Sequence, residues 1–305
     1  MPWGASRRCS PCAGIQPALR LAPSAASPGH PGAVTIHMPT DPGRRRCIAA
    51  AIACACGANA ARAAADSVWL EELTSPELRA RVAAGATTVL VPVGGTEQNG
   101  AHLTLGKHNA RVRVLAERIA QRLGATLVAP VMAYAPEGEI EPPTQHMRYA
   151  GTLSITAPAF ESLLDGAARS LHRHGFRHVV LLGDHGGYQS SLQRAAERLN
   201  RQWRDGAAVI ALTEYYAASQ DFNRTLAARG YTAQEIGQHA GLADTALAWA
   251  VDASLVRSDA LRPSDGVSGD PRRASAELGR DGIEHIVTTS VVAIQARIAG
   301  APKKP

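Results

Sequence analysis

From Val68 onward the chain switches repeatedly between two hydrophobic periods. Thr87 to Val93 is a nearly unbroken apolar, β-branched run, the pattern of a strand buried on both faces. The stretch 109–123 places Val112, Leu115, Ala116, Ile119 and Leu123 at helical spacing and stops at Gly124. A second strand is expected over Thr126 to Val131. Pro158 opens a helix carrying Leu163, Leu164, Ala167 and Leu171, and Gly175 closes it. His178 to Leu182 reads as a third strand, and 189–203 as a helix with Leu192, Ala196, Leu199 and Trp203 on one face. Ala207 to Leu212 reads as a fourth strand, and two further helices are expected at about 240–251 and 271–298. Strands separated by helices of this length form βαβ units, hence an α/β fold with a mostly parallel sheet covered on both faces. Ligands of such sheets bind beyond the carboxyl ends of the strands.

The first 65 residues do not share this pattern. Residues 1–37 are rich in Pro, Ala, Ser and Gly and lack periodicity. Arg44, Arg45 and Arg46 then form a charged segment, followed by a small-residue apolar stretch from Cys47 to Ala61. Ala61-Arg62-Ala63 and Ala63-Ala64-Ala65 each offer an A-x-A cleavage site before Asp66. The apolar stretch is too short for a membrane span, which needs ~20 residues. The expectation is a leader over 1–65, with a signal peptide at 38–65, and a single domain over 66–305 that is periplasmic or secreted. A retained tail is the alternative. The arginine run loosely resembles a twin-arginine signal, and Ala51 to Cys54 a poor lipobox, so the route of export stays open.

Charge and cysteine content sharpen this division. The formal net charge is +6, but residues 1–65 hold seven arginines against the single acid Asp41. The remainder is balanced, so the basic character belongs to the leader and gives no nucleic-acid footprint. All five cysteines precede residue 57. The rest of the chain therefore has no disulfide, cysteine zinc site or thiol nucleophile.

Four polar, glycine-rich segments carry the candidate chemistry. They are G-G-T-E-Q-N-G-A-H-L-T-L-G-K-H from Gly94 to His108, G-D-H-G-G from Gly183 to Gly187, Q-H-A-G-L-A-D-T from Gln238 to Thr245, and G-V-S-G-D-P from Gly266 to Pro271. Glu97 follows the first strand by a short loop, and His185 follows the third by three residues. Glu97, His108 and His185 supply one carboxylate and two imidazoles, a set that suits a catalytic zinc site with an open position for water. His239 and Asp244 lie five residues apart across a helix start, where they could serve as proton-transfer groups. Asp244 could equally decorate the first helical turn, where the macrodipole favours an acid.

These four segments, in this order, resemble the creatininase family from about Trp69 to Ala299. That family shows G-x-T-E-Q-H-G-x-H-L-P-L-x-x-D, N-G-H-G-G-N, H-A-G-x-x-E-T and G-V-x-G-D-P. The resemblance implies a three-layer α/β/α fold, often oligomeric, and metal-assisted hydrolysis of C–N bonds in cyclic or linear amides. It also implies that Glu97 and His185 are metal ligands. The departures are specific. Asn99 stands where the family has the imidazole of a second metal, and His108 where it has a bridging Asp. Gly187 replaces a Glu of creatininase proper, Asp244 shortens a Glu, and Leu242 replaces another.

The resulting expectation is a hydrolase of a small amide other than creatinine, with Glu97, His108 and His185 holding one divalent ion. Zinc is the expected metal, with manganese or iron as alternatives. His239 or Asp244 would take a proton from water and return it to the leaving nitrogen. Asp184 would orient an imidazole, and Asn99, His102 and His146 would line the pocket. His146 lies in the Pro-rich loop from Glu137 to Gly151, which could cover the site. The expected partners are a small-molecule amide and further copies of the chain, with no nucleic acid and no membrane span. Two alternatives remain: a binding protein that kept the fold and lost the chemistry, and a peptidase-like member acting on a modified peptide.

Overall fold

The computed structural model describes residues 67–300. The expected leader, its cleavage point and all five cysteines lie outside the described residues.

Four strands form one parallel sheet: β1 (Thr88–Val93), β2 (Thr126–Val128), β3 (His178–Gly183) and β4 (Ala208–Ala211). Their order is β2-β1-β3-β4. β1 pairs in register with β3 from Thr88–His178 to Val93–Gly183, and β3 pairs with β4 from His178–Ala208. Among the described residues, seven helices of nine or more residues surround the sheet. These are α1 (Ser75–Ala83), α2 (Lys107–Leu123), α3 (Ala157–Arg173), α4 (Gln189–Gln202), α5 (Thr213–Ala228) and, after the short α6 (Ala233–Ile236), α7 (Leu242–Val251), followed by the long α8 (Ala276–Ala299).

Because side chains alternate across a strand, the sheet builds two cores. Val89, Val91, Val179, Leu181 and Val209 pack against Phe160 and Leu164 of α3 and Leu192 and Leu199 of α4. Leu90, Val128, Val180, Leu182 and Ile210 pack on the opposite face against α2, α5, α7 and α8. The architecture is therefore three layers, α/β/α. In α2 the stripe Val112, Leu115, Ala116 and Ile119 is fully buried, and each large aliphatic in it contributes about 1.5–3 kcal/mol by leaving water.

Three boundaries differ from the sequence expectation. β2 stops at Val128: Ala129 N still donates to Leu90 O at 2.8 Å, but Pro130 has no N–H for the ladder, and bridging resumes at Val93–Met132. The last helix starts at Ala276, capped by Ser275 Oγ accepting from Leu278 N at 3.1 Å, after a separate turn at Pro271–Arg273. Helix α7 starts at Leu242, after Gly241. Helix α5 lies outside the sequence expectations, although Tyr215, Ala218, Phe222 and Leu226 form its buried stripe. So does α1, opened by a Thr74–Glu77 capping box.

The strand order fixes where chemistry collects. From β1 the chain moves outward to β2 on one side, whereas β3 and β4 lie on the other. The topological switch is thus between β1 and β3, and the crevice beyond their carboxyl ends is the expected ligand position. Glu97 follows β1 and His185 follows β3.

Candidate metal centre

Glu97 is the hub. Its loop leaves β1 through Gly94 and Gly95, and both glycines are required by close contacts. A Cβ at Gly94 would lie 2.1 Å from Asn109 Oδ1, and one at Gly95, where φ is +151°, would lie 2.3 Å from Glu137 Oε1. The buried Glu97 carboxylate is ringed by four imidazoles. His108 Nε2 is 2.8 Å from Oε1, His239 Nδ1 is 3.7 Å from Oε1, His146 Nε2 is 3.2 Å from Oε2, and His185 Nε2 is 3.6 Å from Oε2.

The first turns of α2 face this cluster. Lys107, His108 and Arg111 are all buried, on the same side as the apolar stripe. Basic groups at a helix N-terminus oppose the macrodipole, and here carboxylates offset that cost. Lys107 Nζ pairs with Asp244 and lies 3.6 Å from Glu97 Oε1. Arg111 bridges Asp184 and Asp244. His108 Nδ1 lies 2.6 Å from Asp184 Oδ2, and Tyr215 Oη donates to Asp184 Oδ1 at 2.6 Å.

The electrostatics follow from burial and these contacts. Burial alone would raise the Glu97 carboxyl, but the His108 hydrogen bond and the Lys107 charge outweigh it and hold it well below the usual range. Burial and Lys107 push His108 down, yet Asp184 and Glu97 more than compensate, so its imidazole is raised. Burial lowers His185 to about 3, and burial with Lys107 lowers His239 to about 4. Both are neutral imidazoles at pH 7. Burial raises Glu137 to about 8, with Glu97 adding to the effect.

These observations fit a divalent cation. Glu97 Oε2 is buried and has no hydrogen-bond partner, although two imidazole nitrogens face it. Both Glu137 oxygens are likewise unpartnered, with Oε2 lying 3.1 Å from His185 Nδ1. Two buried cations, Lys107 and Arg111, face the three carboxylates of Glu97, Asp184 and Asp244, so the cluster holds more acids than fixed cations even before Glu137 is counted. Glu97, His108 and His185 place one donor atom each within 4.8 Å of one another. That spread closes readily around an ion bound at about 2.0–2.2 Å.

The structure brings Glu97, His108, His185, His239, His146 and Asp184 together, and places three other expected residues differently. Asp244 is not a free proton acceptor. Burial would raise it, but Lys107 and Arg111 hold it well below the carboxylate range, and it also accepts from Ala240 N at 3.0 Å. His102 does not line the pocket: its Nε2 meets Ala240 O and Thr245 Oγ1, each at 3.0 Å, which braces the loop before α7. The Asn99 Nδ2 donates to Glu97 O and Thr104 O, which shapes the loop, while its buried Oδ1 has no hydrogen-bond partner. Lys107, Arg111 and Glu137 were not anticipated. The first two had a visible signal, because 107, 108, 111, 112, 115, 116, 119 and 120 form one continuous helical stripe.

Comparison with known proteins gives the family. The sequence profile of the creatininase family, described as creatinine amidohydrolase, matches residues 71–294. The chain belongs to the creatininase family. Creatinine amidohydrolase of Pseudomonas putida is 33% identical over 126 residues, covering 41% of this chain and 47% of that protein. The mycofactocin precursor peptide peptidase of Mycolicibacterium smegmatis is 36% identical over 122 residues, covering 38% and 47%. The chain thus matches about half the length of these curated relatives. A solved structure of creatininase with manganese superposes with a TM-score of 0.65 at 25% identity, covering 78% of this chain and 100% of that one. A Zn–Zn type creatininase mutant gives the same values. The creatininase-like fold is therefore a property of this chain.

Proposed function

We propose that this creatininase-family protein is a divalent-metal-dependent hydrolase that cleaves the C–N bond of a small cyclic or linear amide other than creatinine. The observation that carries the reading is the buried, unpartnered Glu97 Oε2 facing the His185 imidazole beside His108. Two imidazoles and a carboxylate are a donor set suited to zinc, with manganese and iron as alternatives. When bound at Glu97, His108 and His185, the ion supplies Lewis acidity toward the amide carbonyl and toward water.

The chain's own residues do the rest. His239 Nε2 donates to Gln98 O at 2.9 Å, which leaves Nδ1 bare and turned toward Glu97. Nδ1 accepts the proton of the attacking water and returns it to the leaving nitrogen. Asp184 holds the His108 ring, as carboxylates commonly do for metal-binding histidines. A cavity of about 110 Å³ lined by Lys107, His185, Tyr216, Gln238 and His239 receives the amide. Gly187, where creatininase proper has a glutamate, argues against creatinine as the substrate. Export to the periplasm or medium is supported by the leader, and self-association by the family resemblance. No helix among the described residues is long and apolar enough to cross a membrane.

A peptide substrate is the second reading, favoured by one observation. A groove of about 730 Å³, lined by Pro136, Glu139, Ile140, Glu141 and Pro158, reaches the site at Gly187. Such a groove suits an extended chain.

The test is hydrolysis of a panel of lactams, formamides and short peptides by the chelator-treated protein before and after addition of zinc, manganese or iron. Metal-restored cleavage supports the proposal, and the preferred panel member separates the two readings. Binding without cleavage of any member would favour a binding protein on the same fold.

A further inference from the structure

The cavity at the centre, of about 110 Å³, continues outward. Tyr216, Gln220, Asn223 and Gln238 line it and also line a second groove of about 570 Å³. The first three stand at i, i+4 and i+7 on α5, so one face of that helix walls both spaces. Tyr216 therefore stands where the outer groove meets the centre, and an amide entering from that side passes its ring.

Most donors that line the cavity are committed. Lys107 and Arg111 are paired with Glu97, Asp184 and Asp244. Ser219 Oγ donates to Tyr216 O at 2.7 Å, and Asn223 Nδ2 donates to Gln220 Oε1 at 3.3 Å. Gln238 is exposed at the rim. The two adjacent tyrosines of α5 differ. Tyr215 Oη donates to Asp184 Oδ1 at 2.6 Å, whereas the Tyr216 hydroxyl has no hydrogen-bond partner among the described residues. A second observation fixes where that hydroxyl sits. A Cβ at Gly186 would lie 2.6 Å from Tyr216 Oη and 3.0 Å from Cζ. The Gly186 backbone is not in the left-handed region, so what this position needs from glycine is the space that the phenol occupies. The hydroxyl is thus held against the residue that follows His185, inside the cavity.

We propose that Tyr216 is a further catalytic residue, whose hydroxyl donates a hydrogen bond to the carbonyl oxygen of the amide. A phenol keeps its proton at neutral pH and can donate it to an oxygen acceptor. As the water oxygen bonds to the carbonyl carbon, the π electron pair moves onto the carbonyl oxygen, and the bond from Tyr216 strengthens with that charge. When the pair returns, the C–N bond breaks and the leaving nitrogen takes the proton held by His239. A donor that gains strength as charge develops lowers the barrier rather than tightening substrate binding. The inference rests on the proposed amide hydrolysis.

The experiment compares full-length, zinc-loaded wild type with Tyr216→Phe, which keeps the ring and removes only the hydroxyl. With the best-cleaved member of the amide panel, kcat is expected to fall about 10²–10³-fold while KM and zinc content stay close to wild type. A kcat within about three-fold of wild type overturns the inference while leaving metal-dependent hydrolysis standing. A raised KM with kcat kept makes Tyr216 a substrate-binding contact and contradicts the proposed role. A readout independent of turnover is the affinity for methylphosphonate, a tetrahedral anion shaped like the hydrated amide, measured by calorimetry. A loss of about ten-fold or more in Tyr216→Phe supports the proposal, and an affinity within about two-fold of wild type contradicts it. Should no panel member be cleaved, the hydrolase reading fails and methylphosphonate affinity alone decides whether Tyr216 donates to an oxyanion; zinc-loaded wild type that binds no methylphosphonate then overturns both.

Discussion

His108 Nδ1 lies 2.6 Å from Asp184 Oδ2, while Nε2 of the same ring lies 2.8 Å from Glu97 Oε1. One imidazole is thus clamped between the acid that would orient it and the acid with which it would share a metal. Asp184→Asn removes the charge of the first contact. Zinc affinity is expected to fall about 10–100-fold, read by competition with a chromophoric chelator. An unchanged affinity would show that Asp184 does not orient His108 for ligation.

Glu137 gives the metal-free protein a defined pH response. Its carboxyl is raised from the ordinary 4.5 to about 8 by burial beside Glu97. Between those values the folded chain holds a proton that the unfolded chain has released. Stability from this group is therefore present at low pH and declines as pH rises through the window, by up to ~1.4 kcal/mol per unit. The difference in unfolding free energy between wild type and Glu137→Gln isolates it from the histidines. That difference should change steadily between pH 5 and 8 in chelator and flatten in saturating zinc, where a nearby dication favours the carboxylate. A flat difference in chelator would contradict the raised carboxyl.

The proton acceptor is tested by His239→Asn. A lost general base lowers kcat by about 10²–10⁴, and zinc content should be unchanged because His239 is outside the ligand set. The pH profile adds a second readout. Burial and Lys107 lower His239 to about 4, so the imidazole stays neutral well below the 6.5 of a free side chain. Activity of the zinc-saturated wild type should persist on the acid side to below pH 5. An acid limb near 6.5 would assign the proton transfer to another group.

The sequence pattern made the sheet legible because both faces of β1 and β3 are covered, which forces apolar runs that periodicity detects. It missed α5, whose aromatic and polar residues mix along the chain and whose stripe emerges only at the spacing of Tyr215, Ala218, Phe222 and Leu226. Glu97, His108 and His185 were singled out by the glycine-rich segments and the family resemblance, and the fold brings their donor atoms together. Glu137 was not, because it reaches the centre from a Pro-rich loop 40 residues downstream of Glu97, through a close approach that only Gly95 permits. Asp244 was read as a candidate base because spacing does not reveal partners. Its fate is decided by Lys107 and Arg111, which come from a different helix.

The most direct measurement is anomalous diffraction from crystals of the zinc-loaded protein, collected on both sides of the zinc edge. The account predicts one strong peak per chain, about 2.0–2.2 Å from a Glu97 carboxylate oxygen, His108 Nε2 and His185 Nε2. It should disappear in His108→Ala crystals. A peak held by other residues, or one that survives loss of His108, would contradict the proposed centre.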